Sequence, residues 1–143
     1  NNIFVNPVME YIRRKYVCEH QIQKGRSGTR KAINYIKNNY SIALMVDQRV
    51  SEGKQIPFFK RNALTTTLPA QIAIKYNLDV VPVYIKRTAD NNFQIEFFEP
   101  IKTENIEDSE KEKINLTLKL SKFLENMISS DPEQWIWTHN RWK

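Results

Sequence analysis

The feature that most constrains this chain is an unbroken apolar run, Ile42-Ala43-Leu44-Met45-Val46, that stops abruptly at Asp47-Gln48. A run without polar alternation suits a strand covered on both faces, so the sequence predicts a buried, parallel-type strand over 42–46. The flanking segments read as its cover. After Asn6-Pro7, the spacing Val8, Met9, Ile12, Tyr16 is helical, with proline in the first turn. Val17 to Lys24 alternates as a short strand, and Gly25-Arg26-Ser27-Gly28 turns into a helix with Thr29 as N-cap. That helix carries Ala32, Ile33 and Ile36 and stops near Asn38-Asn39.

Downstream, Arg49 to Asn62 has no clear period and reads as a long loop carrying Phe58 and Phe59. Thr65 to Tyr76 is helical, Val80 to Ile85 is a strand whose Pro82 argues for an edge or a bulge, and Asp90-Asn91-Asn92 is hairpin chemistry before an alternating Phe93–Phe98. From Asp108 or Ser109 a long helix is expected, turning Ile114, Leu118, Leu120, Leu124, Met127 and Ile128 to the core until Pro132. The order predicts an α/β (α+β layered) fold: a mixed, mostly parallel sheet flanked by helices, in a single domain over 1–143. That length suits one hydrophobic core.

With 41% hydrophobic and 27% charged residues and only three Gly, the chain is neither disordered nor low-complexity. No apolar run reaches the roughly 20 residues that cross a bilayer. A lone Cys18 forms no internal disulfide, which favours a reducing compartment. The first residue is Asn1, no leader opens the chain, and a fragment is the expectation.

Charge is uneven. Residues 1–72 hold 12 Lys/Arg against 4 Asp/Glu, whereas 73–143 hold 10 against 12. Basic clusters at Arg13, Arg14 and Lys15, at Lys24, Arg26, Arg30 and Lys31, and at Lys60 and Arg61 suit phosphate in a nucleic acid, an anionic membrane or a ligand. A plain solvated basic face is the alternative.

Chemistry that needs a metal finds no support, because His20, His139 and Cys18 are too few and too scattered. Phosphate-cradling glycine loops and a nucleophile elbow are likewise missing. What stands out is Asp47-Gln48 at a strand end, followed by Ile56-Pro57-Phe58-Phe59-Lys60-Arg61-Asn62-Ala63 and Thr65-Thr66-Thr67. Ligands of open α/β sheets gather at such carboxyl ends. Asp47 reads as a site acid or a loop-capping carboxylate, Phe58 and Phe59 as ligand contacts or as core, and Arg61 as a site or a surface residue.

These words, together with Val80-Val81-Pro82-Val83 and the closing Pro132-Glu133-Gln134-Trp135-Ile136-Trp137-Thr138-His139-Asn140-Arg141-Trp142, resemble the bacterial lipid A biosynthesis lauroyl/myristoyl acyltransferases, of the lysophospholipid acyltransferase-like superfamily. Asn6-Pro7 matches an Asn-Pro that opens a helix in that family. The resemblance runs in order along essentially the whole chain. It departs at Lys60, where the family usually has Gly, and in the catalytic H-x4-[DE] dyad, because Gly25 stands five places after His20 and the chain ends before that place after His139.

The resemblance implies the C-terminal half of an O-acyltransferase of lipopolysaccharide biosynthesis, inactive alone, with the dyad and a membrane anchor upstream. It further implies no cofactor and two anionic partners, acyl carrier protein as donor and a phosphorylated, Kdo-bearing lipid A precursor as acceptor. The place of work would be the cytoplasmic face of the inner membrane, an anionic membrane surface, with this stretch itself soluble. Asp47 matches a supporting acid, and Arg13 or Arg14, Gln48 and Arg61 are the expected substrate-binding residues. A glycerolipid acyltransferase would carry a Glu-Gly-Thr-Arg-like motif, of which Ser51-Glu52-Gly53-Lys54 is a faint echo. A basic nucleic-acid-binding domain without enzymatic activity is the alternative of another class, although no specific nucleic acid is expected. Trp135, Trp137 and Trp142 suit either a lipid headgroup boundary or packing of the tail on the sheet, the second favoured. His139 reads as a hydrogen-bonding rather than a catalytic histidine.

Overall fold

The computed structural model describes residues 3–23, 25–102 and 109–143. Their contacts divide the chain into two compact units, Asn1–Ala43 and Leu44–Lys143. Among the described residues the secondary structure is the α+β mixture expected, four α-helices with two small sheets, but both sheets are antiparallel hairpins rather than a mostly parallel sheet.

The first unit holds α1 (Val5–Tyr16) and α2 (Arg26–Lys37). Pro7 falls in the first turn of α1, where a missing N–H breaks no intrahelical bond. Arg13, Arg14 and Lys15 occupy the last turn, at the negative end of the helix dipole. Helix α2 starts earlier than Thr29 because Gly25, at φ 104°, turns the chain directly into Arg26. Thr29 lies inside the helix, its Oγ1 donating to the Gly25 carbonyl at 3.3 Å. Gly28 is buried, and a Cβ there would stand 1.7 Å from the Gln23 carbonyl oxygen. The helix stops at Asn38-Asn39, with Asn39 at φ 63°. The expected strand over 17–24 is not formed: Val17–Gln23 is turn and irregular chain, with the Gln21 side-chain Nε2 donating back to the Cys18 carbonyl, and Lys24 lies outside the described residues.

The second unit is built on hairpins. The segment read as a loop, 49–62, instead folds into β1 (Lys54–Phe58), which pairs antiparallel with β2 (Arg61–Thr65), Phe58 facing Arg61 and Ile56 facing Ala63. Phe59 at φ 48° and Lys60 at φ 63° make the two-residue connection, the pattern of a type I′ turn. No Asn-Gly signals it, so the turn was silent in the sequence. Helix α3 (Leu68–Tyr76) carries Pro69 in its first turn and ends on Asn77, left-handed at φ 50°. β3 (Val83–Arg87) and β4 (Phe93–Phe97) form the expected second hairpin around Asn91, also left-handed at φ 59°. Val80 is joined only by a single bridge to Ile101.

Residues 42–46 form no strand. Each β-strand among the described residues pairs with its own hairpin partner, so the run has no neighbour to complete a parallel ladder, and Met45 is 85% exposed. An apolar run alone does not make a strand; the backbone groups need partners.

Helix α4 (Ser109–Ser130) organises the second unit. Its buried stripe is Glu112, Leu116, Thr117, Ser121 and Ile128, so Leu116 replaces the expected Leu118, which is exposed. Leu116 meets Ala70, Ala73 and Ile101, with Leu120 and Phe123 alongside. Further along, Ile128 and Leu124 meet Phe58 and Ala63 of the first hairpin together with Trp135 and Trp142. Pro132 ends the helix in a short 3-10 turn, Pro132–Gln134, as expected.

Candidate functional site

Sequence and fold converge where the β1–β2 hairpin meets the C-terminal tail. Phe58 is fully buried, its ring 5.9 Å from Trp135 and 5.6 Å from Trp142. The Trp142 indole N–H donates to the Phe58 carbonyl at 3.0 Å, which fixes the tail to the end of β1. Phe58 and the tail tryptophans 135 and 142 are therefore packing residues, as favoured from the sequence. Trp137 remains exposed, its indole donating to the Pro132 carbonyl.

Arg141 is the centre of this junction. It is only 1% exposed, an unusual place for a guanidinium. Nη1 donates to the Leu64 carbonyl and Nη2 to Thr65 Oγ1, each at 2.7 Å, and the guanidinium lies 5.2 Å from the Phe58 ring centroid. Its Nε is buried without a partner, as is the Nε of Arg49. Burial pulls Arg141 below the ordinary arginine value, and the Asp47 carboxylate opposes that pull. The carboxylate singled out past the apolar run thus acts electrostatically on a buried cation. Beside them the Arg49 backbone N–H donates to His139 Nε2 at 3.3 Å, so His139 is the hydrogen-bonding histidine expected.

Arg61 opens β2 with an exposed side chain whose guanidinium carbon lies 6.0 Å from the Trp142 ring. Gln48 is exposed beside the half-buried Asp47. The turn between them and the tail is held by Glu125 of α4, which accepts from the Phe59 N–H at 2.8 Å and pairs with Lys122 at 2.8 Å. Burial pushes the Glu125 carboxyl up, but the Lys122 and Phe59 donors outweigh it and hold it below the ordinary value. Asp47, Gln48 and Arg61 therefore share one unit with the tail. Arg13 and Arg14 lie on α1 in the first unit, where Arg14 is paired with Glu10 at 2.9 Å.

Arg49, Arg141, Thr65 and Glu125 were not singled out as site residues from the sequence. Arg141 did stand in the closing signature, but nothing local marks an arginine as buried; its burial follows from a hairpin and a tail more than 70 residues apart in sequence.

Among the described residues no group of three or more His, Cys, Asp or Glu could hold a metal, and no helix is long and apolar enough to cross a membrane. What the junction offers is fixed charge: a buried arginine, and an exposed arginine braced on an indole.

The family model for bacterial lipid A biosynthesis acyltransferases matches residues 4–143, and the chain belongs to that family. No curated protein matches it. Membership makes it an acyltransferase-family chain concerned with lipid A-type substrates and their acyl donors.

Proposed function

We propose that residues 1–143 are the C-terminal, acceptor-binding part of an O-acyltransferase that carries a fatty acyl chain from acyl carrier protein to a hydroxyl of a phosphorylated, Kdo-bearing lipid A precursor, at the cytoplasmic face of the inner membrane. In that reaction the ester bond to the acceptor oxygen forms as the acyl bond to the carrier breaks, and the hydroxyl proton passes to a base. The base is proposed to be a His–carboxylate pair lying outside this stretch. His20 packs with the rings of Tyr35 and Tyr40 at 5.0 and 5.5 Å, and His139 accepts from the Arg49 N–H, so among the described residues neither is paired with an acidic partner.

In the second unit Arg61 and Gln48 would bind the acceptor, and in the first unit Arg13 or Arg14 would bind phosphate on its own account, the arginines through charge-assisted bonds. Asp47 would support the site by holding the charge balance at Arg141. The observation that carries this reading is the exposed Arg61 braced against Trp142 at the end of a hairpin pinned by Arg141.

The test is acyl transfer by the full-length enzyme carrying Arg61→Ala or Asp47→Asn. Losing one charge-assisted contact is worth about 1.5–3 kcal/mol, so acceptor kcat/KM should fall about 10- to 100-fold for Arg61→Ala with the urea midpoint unchanged. Wild-type rates in both variants would remove these residues from the site. The isolated chain should show no transfer from acyl carrier protein, and turnover by purified material would contradict the placement of the base.

A further inference from the structure

The first unit holds eight Lys/Arg against two Asp/Glu, a net of +6, which is the net charge of the entire chain; residues 44–143 hold 14 of each sign. The same unit carries a helix none of whose residues is fully buried. Val8, Met9, Ile12 and Tyr16 of α1 fall at i, i+1, i+4 and i+8, one face of the helix. None of α1 is buried; Val8 is 57% and Ile12 39% exposed. An amphipathic helix normally gains its stability by covering such a stripe.

Its chemistry indicates what covers this one. The 12 residues rise about 18 Å, too short to span a bilayer but suited to lying along its surface. Basic residues 13, 14 and 15 end the helix, and the one acid of the helix, Glu10, is spent on Arg14. Lys15 lies 5.6 Å from the Tyr11 ring and 5.2 Å from the Tyr16 ring. A lysine running along tyrosines at the edge of an apolar stripe is the arrangement by which side chains set a hydrocarbon stem at the acyl boundary and an ammonium among headgroups.

We infer that α1 is a membrane-surface helix, which inserts Val8, Met9, Ile12 and Tyr16 at the acyl boundary of an anionic lipid bilayer while Arg13, Lys15 and the rest of the basic unit hold the headgroups. This deepens the proposed function by naming the surface that meets the lipid. Vesicle binding requires no acyl transfer, so either reading can fail without the other.

The single, exposed Cys18 lies two residues past the helix and takes an environment-sensitive fluorophore without further mutation. The labelled chain is titrated with vesicles of phosphatidylglycerol and phosphatidylcholine in equal parts, and with pure phosphatidylcholine. A blue shift and co-sedimentation confined to the anionic vesicles, weakened by salt, are expected. Val8→Asp with Ile12→Asp, at exposed positions, should weaken binding by about tenfold or more, since each apolar side chain buried is worth more than 1 kcal/mol. Arg13→Gln should weaken it by about fivefold at low salt, as one basic residue near an anionic surface contributes about 1 kcal/mol. Circular dichroism of the variants checks that they stay folded; if the double aspartate variant does not, Val8→Ser with Ile12→Ser replaces it. Binding indifferent to the apolar substitutions would leave only a basic patch and overturn the inference. So would equal binding to both vesicles, no binding, or a dimer abolished by the same substitutions in place of vesicle affinity.

Discussion

Replacing Arg141 with lysine isolates the shape of the buried cation from its charge. Nη1 and Nη2 serve two acceptors, the Leu64 carbonyl and Thr65 Oγ1, each at 2.7 Å, while the planar group lies over Phe58. A lysine ammonium is a single point and cannot reproduce the fork. Neither acceptor would be orphaned, because the Leu64 carbonyl also accepts from the Val50 N–H at 3.2 Å and Thr65 Oγ1 itself donates to the Ala63 carbonyl at 3.0 Å. The loss is therefore one charged hydrogen bond, about 1.5–3 kcal/mol, plus the stacking over Phe58, about 1 kcal/mol. Arg141→Lys should cost about 2–4 kcal/mol in urea unfolding followed by tryptophan emission, which reports Trp135 and Trp142 directly. A loss below about 0.5 kcal/mol would show that charge alone, balanced by Asp47, suffices, and the argument from the planar fork would fail.

Two more expectations bear on the same unit. Lys60 holds φ 63° in the two-residue turn, so Lys60→Gly should stabilise the hairpin by about 1 kcal/mol by relieving a left-handed conformation that glycine adopts freely; an unchanged or lower urea midpoint would refute it. Glu125 is held below its ordinary 4.5 and Asp131 below its ordinary 3.8, the latter by Lys86 and by the Tyr84 hydroxyl at 2.7 and 2.9 Å. Both are charged in the fold where the unfolded chain already binds protons, so their contribution is complete above those values and is lost as pH falls through the lowered folded ones. Urea midpoints should fall below about pH 4.5 for the wild type, and the double variant Glu125→Gln, Asp131→Asn should show a shallower decline; parallel profiles would show that other carboxylates carry the acid limb.

Much of the layout was legible because its signals are local. Pro7 and Pro69 in first turns, Asn39 and Asn91 in left-handed positions, and Pro132 after α4 all act within a turn of where they stand. The hairpin from Lys54 to Thr65 was not legible, since Phe59-Lys60 is a poor advertisement for a turn with two positive φ values. Glu125 supplies the missing reason, accepting from the Phe59 N–H across 66 residues of sequence. The apolar run before Asp47 misled in the opposite way, because its composition says strand while no strand among the described residues pairs with it. Leu116 displaced Leu118 from the core since α3 and Ile101, not the helix's own periodicity, choose which stripe is covered.

The candidate site divides in the same manner. Asp47, Arg61 and the aromatic pair Phe58-Phe59 could be picked out from residue type and order, and the family from its dispersed words. That the Asp47 charge acts on Arg141, that Arg141 rather than Arg61 is the buried cation, and that Trp142 braces Arg61 were decided by the packing of a tail on a hairpin far away in the chain. Sequence alone determined the helices, the turns that proline or asparagine marks and the distribution of charge, which depend on neighbours within a few residues. Only the tertiary structure decided which charges are buried, because desolvation depends on what distant segments bring to the same place.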